Sequence, residues 1–154
     1  MPKPEIIFIF APDRVGKTTL ARNLSTVPLQ FNAPAINQKN WHEDYDRAFK
    51  TAGMYGRCVC ARGPLEANLY RFVQTTKIRD YLYKPNFDIQ YILINHHWDS
   101  TLVSRHVTEL IEVNEIREDW RIRAELMKRM QEHYDYYKHM HLMAEELGIN
   151  FIYH

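Results

Sequence analysis

The most constraining feature of the sequence is a short apolar run that leads directly into a loop of small and charged residues. The run, EIIFIF at residues 5–10, has no polar residue after its first position. Such a run is typical of a strand buried on both faces of a parallel sheet. APDRVGKTT follows at residues 11–19, and Leu20 and Leu24 then recur at helical spacing. The start of the chain is therefore predicted to form a strand, a tight loop and a helix.

The remainder of the chain alternates apolar runs with helical patterns. Because alternating strands and helices require crossover connections, a mainly parallel sheet is expected. We predict one three-layer α/β/α domain over residues 1–154 with a five-stranded parallel sheet. The further predicted strands are APAINQ (33–38), GRCVCAR (56–62), FDIQYILIN (87–95) and INFIYH (149–154). The further predicted helices are residues 41–54, one helix over 64–83 that starts with Pro64, residues 100–110, and residues 120–147, which Gly148 ends.

The composition fits a folded intracellular protein and excludes several other classes. Hydrophobic residues make up 45% and charged residues 25%, and the formal net charge is only +1. Disorder and a generally basic nucleic-acid-binding surface are therefore not indicated. No stretch approaches the ~18 apolar residues of a membrane span, and the first apolar run is too short for a signal peptide. Cys58 and Cys60 are expected to be buried thiols in a reducing, cytoplasmic compartment.

Residues Ala11 to Thr18 match the phosphate-loop pattern G-x-x-x-x-G-K-[ST] except at its first glycine. In such a loop, backbone N–H groups and the positive end of the helix dipole hold phosphate oxygens. Lys17 would place a positive charge on the terminal phosphates, and Thr18 would offer its hydroxyl to Mg²⁺. Gly16 has no Cβ and so lets the backbone pass close to the anion. Ala11 is tolerated if its φ is negative and would cost about 1 kcal/mol if φ had to be positive. The expected nucleotide-binding residues are Pro12, Asp13, Arg14, Val15, Gly16, Lys17, Thr18 and Thr19.

The interior of the loop resembles that of thymidylate kinases, in which the pattern reads roughly E-G-x-D-R-x-G-K-[ST]-T. Adjacent aspartate and arginine, here Asp13 and Arg14, are unusual among phosphate loops. The resemblance implies a P-loop kinase fold, ATP as the phosphate donor, Mg²⁺ as the cofactor and a small nucleotide as the acceptor. It also implies that Asp13 contacts the sugar 3′-hydroxyl of the acceptor and that Arg14 reaches the transferred phosphate. Both roles suit the chemistry of a carboxylate and a guanidinium.

Two further segments keep the spacing of that family. In CVCARGPLEANLY, Arg62 matches the arginine that grips the 5′-phosphate of the acceptor, and Tyr70 matches a tyrosine on the following helix. In ILINHHWDSTLVSR, Arg105 matches the arginine that opens the lid. The lid-like segment would cover residues 106–123, from which Arg117, Arg121 or Arg123 could fold over ATP. The catalytic set implied by the resemblance is Lys17, Arg14, Asp13 and Arg62.

The chain also departs from the family pattern. Ala61 replaces a carboxylate that helps to organise Mg²⁺, and Glu66 is the candidate to replace it through water. The Arg-Glu-Pro segment of the family is not visible, and the sequence closes on its last predicted strand, as in compact phage-like forms of the fold. Recognition of the acceptor base then depends on the aromatic residues between 41 and 74, among which i, i+4 spacing also fits core packing. The expected substrate-binding residues are Asp13, Arg62, Glu66, Tyr70 and Phe49.

Histidines and aromatic residues in the second half of the chain are not assigned to a site. Neighbours such as His96 and His97 point in different directions, and nothing supplies a three-ligand metal set. Tyr134, Tyr137 and Met130 are expected to form the inward stripe of the long helix.

Together these observations predict an enzyme that transfers phosphate from ATP to a deoxynucleoside monophosphate, with a thymidylate-like pyrimidine favoured. One alternative is a kinase of a deoxynucleoside, of a modified base in DNA or of a 5′-hydroxyl DNA end. The other is a nucleotide-binding regulatory protein without turnover, which Ala11 and Ala61 favour. By resemblance a homodimer is possible, whereas no membrane partner is expected and a nucleic-acid partner is disfavoured by the near-neutral charge.

Overall fold

Strands and helices alternate along the chain, as the hydrophobic pattern predicts. The computed structural model describes residues 2–36, 39–71 and 73–154, apart from the side chains of Tyr70 and Arg71. The strands in this part of the chain are β1 (Glu5–Phe10), β2 (Phe31–Asn32), β3 (Arg57–Cys60), β4 (Asp88–Leu93) and β5 (Ile152–Tyr153). The helices are α1 (Lys17–Leu24), α2 (Trp41–Tyr55), α3 (Glu66–Arg71), α4 (Thr75–Leu82), α5 (Ser100–Glu112) and α6 (Asp119–Leu147).

The sheet is parallel throughout, with strand order β2-β3-β1-β4-β5. β1 lies at its centre, where Glu5 pairs with Arg57 of β3 on one side and with Asp88 of β4 on the other. The carboxyl ends of β1 and β3 therefore meet at the same edge of the sheet, which is where parallel α/β sheets place their ligands. The predicted five-stranded parallel sheet is confirmed.

The side chains of β1 alternate between the two faces of the sheet. Ile6, Phe8 and Phe10 enter one core cluster, whereas Ile7 and Ile9 enter the other, as the two-residue period of a strand requires. The first cluster is completed by buried residues of α2, α3, α4 and α6, and the second by those of α1 and α5. Helices thus cover both faces, consistent with the three-layer arrangement. Among the described helices, none combines the length and apolar character that a membrane crossing requires.

Three predicted elements are wrong in their bounds, of which the last strand, predicted over 149–154, is only Ile152–Tyr153. The second strand is β2, two residues long, and the predicted strand at 33–38 is absent over residues 33–36, while residues 37 and 38 lie outside the described part. Pro34 explains the early end of the strand, because proline has no N–H to donate to a ladder. The single helix predicted over 64–83 is instead two helices, α3 and α4. The Asn68 side chain donates to the Val73 carbonyl (2.9 Å), and Gln74 is extended before α4.

The predicted inward stripe of α6 is wrong at Tyr134, which is 45% exposed. Tyr137 packs against the first core cluster and donates to the Ile94 carbonyl (2.6 Å), and Met130 is half-buried. The buried positions recur every three or four residues, as an inward helical stripe should: His133, Tyr136, Met140, Met143, Ala144 and Leu147. α6 ends as predicted, since Gly148 has φ of 70° and so adopts the left-handed conformation that favours glycine.

The lid-like segment predicted at 106–123 is mostly helical. Its first residues complete α5 and its last residues begin α6, so that only residues 113–118 connect the two helices.

Candidate functional site

The loop between β1 and α1 adopts a backbone shaped by Gly16. This residue has φ of 91° and caps the N-terminus of α1, a conformation that L-residues rarely adopt. Arg14, two residues earlier, also has a positive φ, of 69°. Ala11 does not, and it is fully buried in the core cluster of α1 and α5. The missing first glycine therefore carries no backbone penalty here.

Lys17 begins α1 and turns its side chain back over the loop. Its ammonium donates to the Ala11 carbonyl oxygen (2.9 Å) and lies 3.9 Å from both Asp13 Oδ1 and Glu66 Oε1. The residue is only 9% exposed. Burial lowers the pKa of Lys17, and the nearby Glu66 carboxylate opposes that shift. The loop thus holds one partly desolvated cation where a bound phosphate would sit.

Glu66 lies beneath Lys17 rather than on the surface. It begins α3, is fully buried, and accepts a 2.7 Å hydrogen bond at Oε1 from the Tyr136 hydroxyl of α6. Its Oε2 is 3.9 Å from Arg62 Nη1 but accepts no hydrogen bond from any described residue. Burial raises the pKa of Glu66, while Lys17 and Arg62 pull it back. Glu66 is not among the residues that line the cleft described below, so its predicted contact with a substrate and its predicted role near Mg²⁺ stay predictions.

Arg62 follows β3 and faces Asp13 across the edge of the sheet. Its Nη2 donates to Asp13 Oδ1 at 3.4 Å, and its backbone carbonyl accepts a 3.0 Å hydrogen bond from the buried Tyr45 hydroxyl of α2. Burial raises the pKa of Tyr45 well above its usual range, so this hydroxyl remains a donor. A core residue of α2 thereby fixes the backbone that carries Arg62. This support was not predicted, because a tyrosine at core spacing gives no sign of its hydrogen-bond partner.

Arg14 is turned toward α5 and away from Lys17. Its guanidinium forms an ion pair with Glu109, and its carbonyl oxygen accepts a 2.8 Å hydrogen bond from Arg105 Nη1. Glu109 also lies 3.6 Å from Arg129 Nη1 of α6. The loop is therefore linked to both helices that flank the 113–118 connector.

Most of the predicted phosphate-site residues meet in one cleft of about 400 Å³. Thr18, Thr19, Ala61 and Arg105 line it together with the loop. Its charged lining residues are Asp13, Arg14, Lys17, Arg62 and Arg105, four cations against one carboxylate. Such a cleft suits a polyanion, because each cation there offers N–H donors to phosphate oxygens.

Several predicted residues lie elsewhere. Phe49 is in the core, where its ring packs at 4.9 Å from Phe87 and 6.4 Å from Phe8, so it is not available to stack on a nucleotide in the cleft. Arg121 pairs with Glu118 at 3.2 Å. The side chain of Tyr70 lies outside the described part of the structure. Of the remaining residues of the loop, Val15 is buried in the core and Pro12 lines a second cleft described below. Arg117, predicted for the lid, lies in the 113–118 connector.

The site could hold Mg²⁺ only with help from a bound phosphate. No group of three or more His, Cys, Asp or Glu residues within the described chain is placed to hold a metal ion. Mg²⁺ commonly binds through one or two protein oxygens, waters and substrate phosphates, and the cleft lining offers the Thr18 hydroxyl and the Asp13 carboxylate for this. Comparison of the chain with family models, with curated proteins and with solved structures gives no match.

Proposed function

We propose that the protein transfers the terminal phosphate of ATP to a deoxynucleoside monophosphate, with Mg²⁺ as the cofactor. The observation that carries the proposal is the pairing of Arg62 with Asp13 at 3.4 Å on the same cleft that Lys17 enters from the loop. A donor phosphate held by the loop and an acceptor phosphate held by Arg62 would then meet at one edge of the sheet.

The donor end of the cleft is built from the loop and the start of α1. The backbone N–H groups around Gly16 and the N-terminus of α1 offer donors to phosphate oxygens, and Lys17 adds a positive charge. When bound, Mg²⁺ would neutralise charge between the phosphates. The hydroxyl of Thr18 would hold that ion. These parts supply the positioning and charge neutralisation on which phosphoryl transfer mainly depends.

The acceptor end is built from Arg62 and Asp13. Arg62 offers a planar fork of donors to a phosphate, and Asp13, whose side chain is 58% exposed, can accept a hydrogen bond from a sugar hydroxyl. Arg14 would have to leave Glu109 to reach the transferred phosphate. An acceptor phosphate is already ionised at neutral pH, so no exposed general base is required. This agrees with the burial of Glu66, the carboxylate under the cleft.

The proposal is tested by phosphate transfer from labelled ATP with Mg²⁺ to deoxynucleoside monophosphates, deoxynucleosides and 5′-hydroxyl DNA. We expect labelling of a monophosphate, reduced at least a hundredfold in Lys17→Ala and unchanged in Lys50→Ala, which removes an exposed lysine of α2. Labelling of a nucleoside or of DNA, without labelling of any monophosphate, would show that the acceptor is not a deoxynucleoside monophosphate. Binding of ATP without any transfer would instead support the nucleotide-binding regulatory protein, for which the Arg14–Glu109 pair and Ala61 are the structural support.

A further inference from the structure

A second cleft of about 540 Å³ adjoins the phosphate cleft on the side of α5 and α6. The two clefts share Asp13 and Arg14, so a molecule whose phosphate lies near Arg62 could extend past Asp13 into the second one. The deeper lining of this cleft is aromatic: Trp98, His106, His133 and Tyr136. No sequence pattern assigned these residues to a site.

Trp98 lies between two imidazoles. Its ring is 4.9 Å from that of His106 with an interplanar angle of 33°, and 5.6 Å from that of His133 at 64°. The two histidines come from different helices, α5 and α6, and both are buried. Trp98 itself is half-buried and lines the cleft, so the part of its ring that these imidazoles leave uncovered is the flat surface on which a nucleobase would stack.

The hydrogen bonds of the two histidines define their protonation. His133 Nε2 lies 2.7 Å from the His96 carbonyl oxygen, which can only accept, so Nε2 carries the proton. His106 Nδ1 lies 3.1 Å from Arg129 Nη1, which can only donate, so that nitrogen is the acceptor. Burial lowers the pKa of both imidazoles, which favours their neutral forms.

This assignment leaves one acceptor without a donor. His133 Nδ1 is buried, its residue is 3% exposed, and it has no hydrogen-bond partner among the described residues. A buried polar atom without a partner is costly, and a donor on a bound ligand would remove that cost.

The other polar groups of the cleft point to the same kind of ligand. Five carboxylates line it and can only accept when ionised: Asp13, Glu109, Glu125, Glu132 and Asp135. Among the donors, Arg14 is paired with Glu109, and Arg129 lies 3.6 Å from Glu125 and contacts His106. The Tyr136 hydroxyl donates to Glu66, and Lys128 contributes an ammonium to the lining. A ligand rich in N–H donors is therefore better matched than one rich in carbonyls.

We propose that this cleft holds the base of the acceptor nucleotide and selects bases that carry an exocyclic amino group, which donates to His133 Nδ1. As an account of the acceptor, this inference rests on the proposed function. It also replaces the thymidylate-like acceptor, because thymine presents two carbonyl oxygens around a single N–H. Trp98 supplies the stacking surface, and His133 is the specificity-determining residue.

The test is nucleotide binding measured by tryptophan fluorescence without ATP, so that it does not depend on turnover. dCMP and dUMP are the matched probes, because they have the same size and differ on one edge of the base alone. Cytosine has an amino group at position 4 and an unprotonated N3, whereas uracil has a carbonyl oxygen at position 4 and an N–H at N3. We expect dCMP to quench the fluorescence and to bind about tenfold more tightly than dUMP. Trp98→Phe should abolish the quenching, whereas Trp120→Phe, at a residue 71% exposed on α6, should leave it in place.

His133→Gln tests the selecting atom. Its amide can still donate to the His96 carbonyl but places no acceptor at the former Nδ1 position. The dCMP preference should fall to about twofold or less, and the exposed His141→Gln on the same helix should preserve it. If His133→Gln does not fold, the comparison of dCMP with dUMP on the unmodified protein still decides.

Equal affinity for dCMP and dUMP would overturn the selection for an amino group. Transfer of phosphate from ATP to a nucleotide that leaves Trp98 fluorescence unchanged would overturn the base site while sustaining the proposed function. The reverse result, quenching by dCMP with no phosphate transfer, would sustain the base site and remove the kinase.

Discussion

The buried pair of Lys17 and Glu66 gives the sharpest prediction about stability. Their charged atoms are 3.9 Å apart, and the Glu66 carboxylate is fully buried. At an effective dielectric constant of ~20 the attraction at this distance is about 4 kcal/mol, and measured couplings between neighbouring groups reach about 3 kcal/mol. We therefore expect a double-mutant cycle of Lys17→Met and Glu66→Gln to give a coupling free energy of about 2–3 kcal/mol.

Urea unfolding of the four proteins at pH 7 measures that coupling. Lys17→Met alone should lose about 3 kcal/mol, because a buried carboxylate then lacks one of the two cations that lie 3.9 Å from it. That loss should be smaller at pH 5. The pKa of the Glu66 carboxyl is higher in the folded protein than in the unfolded chain, so this group destabilises the fold as the pH rises from the unfolded pKa through the folded pKa. Lys17→Met raises the folded pKa further, so that more of the carboxyl is neutral at pH 5 and less stability is lost there. Glu66→Gln in the Lys17→Met background should restore most of the stability.

The Arg57–Glu5 pair is the matched control for this cycle. Its atoms are closer, at 2.8 Å, but about a third of each side chain is exposed. Its coupling should stay below about 1 kcal/mol, because water screens an exposed pair. The reasoning fails if Lys17 and Glu66 act additively to within about 0.5 kcal/mol, or if the exposed pair couples more strongly than the buried one.

Three smaller predictions concern single positions. Gly16→Ala should destabilise the protein by about 1 kcal/mol through its positive φ alone, since a Cβ there meets nothing within 4 Å. Gly53→Ala inside α2 should stabilise the protein by about 0.5–1 kcal/mol, and the midpoints of urea unfolding measure both effects. Gly63→Ala should destabilise the protein by about 1–3 kcal/mol or more, as overpacking of a core does, because the added Cβ would overlap the Phe10 ring. A Tm close to that of the unmodified protein would contradict that packing. Burial lowers the pKa of His133 in the folded protein, so the neutral imidazole stabilises the fold less as the pH falls below the ordinary histidine pKa of ~6.5. His133→Gln should therefore make the free energy of unfolding decline less between pH 7 and pH 5.

The sheet and the loop were predictable because their signals are local. β1 is a continuous apolar run, and Gly16 with Lys17 directly after it identifies the turn into α1. The same holds for Gly148, whose left-handed conformation ends α6. The break between α3 and α4 was not predictable, because the apolar spacing continues across it and a single Asn68 side chain stabilises the intervening turn.

The parts of the site that come from α5 and α6 were missed for a different reason. Tyr136 reaches Glu66 from 70 residues away along the chain, and Glu109 reaches Arg14 from 95 residues away. Neither residue belongs to a motif, and each looks in sequence like an ordinary helical position. Only the packing of α6 against the sheet brings Tyr136 to the loop. Phe49 packs in the core, the alternative that its i, i+4 spacing from Tyr45 also fits.

The central place of β1 has a consequence for synthesis of the protein. Its two neighbours in the sheet, which start at Arg57 and Asp88, are made long after it. At ~5–20 residues per second the ribosome needs several seconds to add them. During that interval five apolar side chains of β1 and both of its unpaired backbone edges face the cell, a pattern on which other chains can assemble. A nascent chain of this kind calls for a chaperone that binds short hydrophobic strands, and the demand should end once residue 93 has left the ribosome and β1 is paired on both sides.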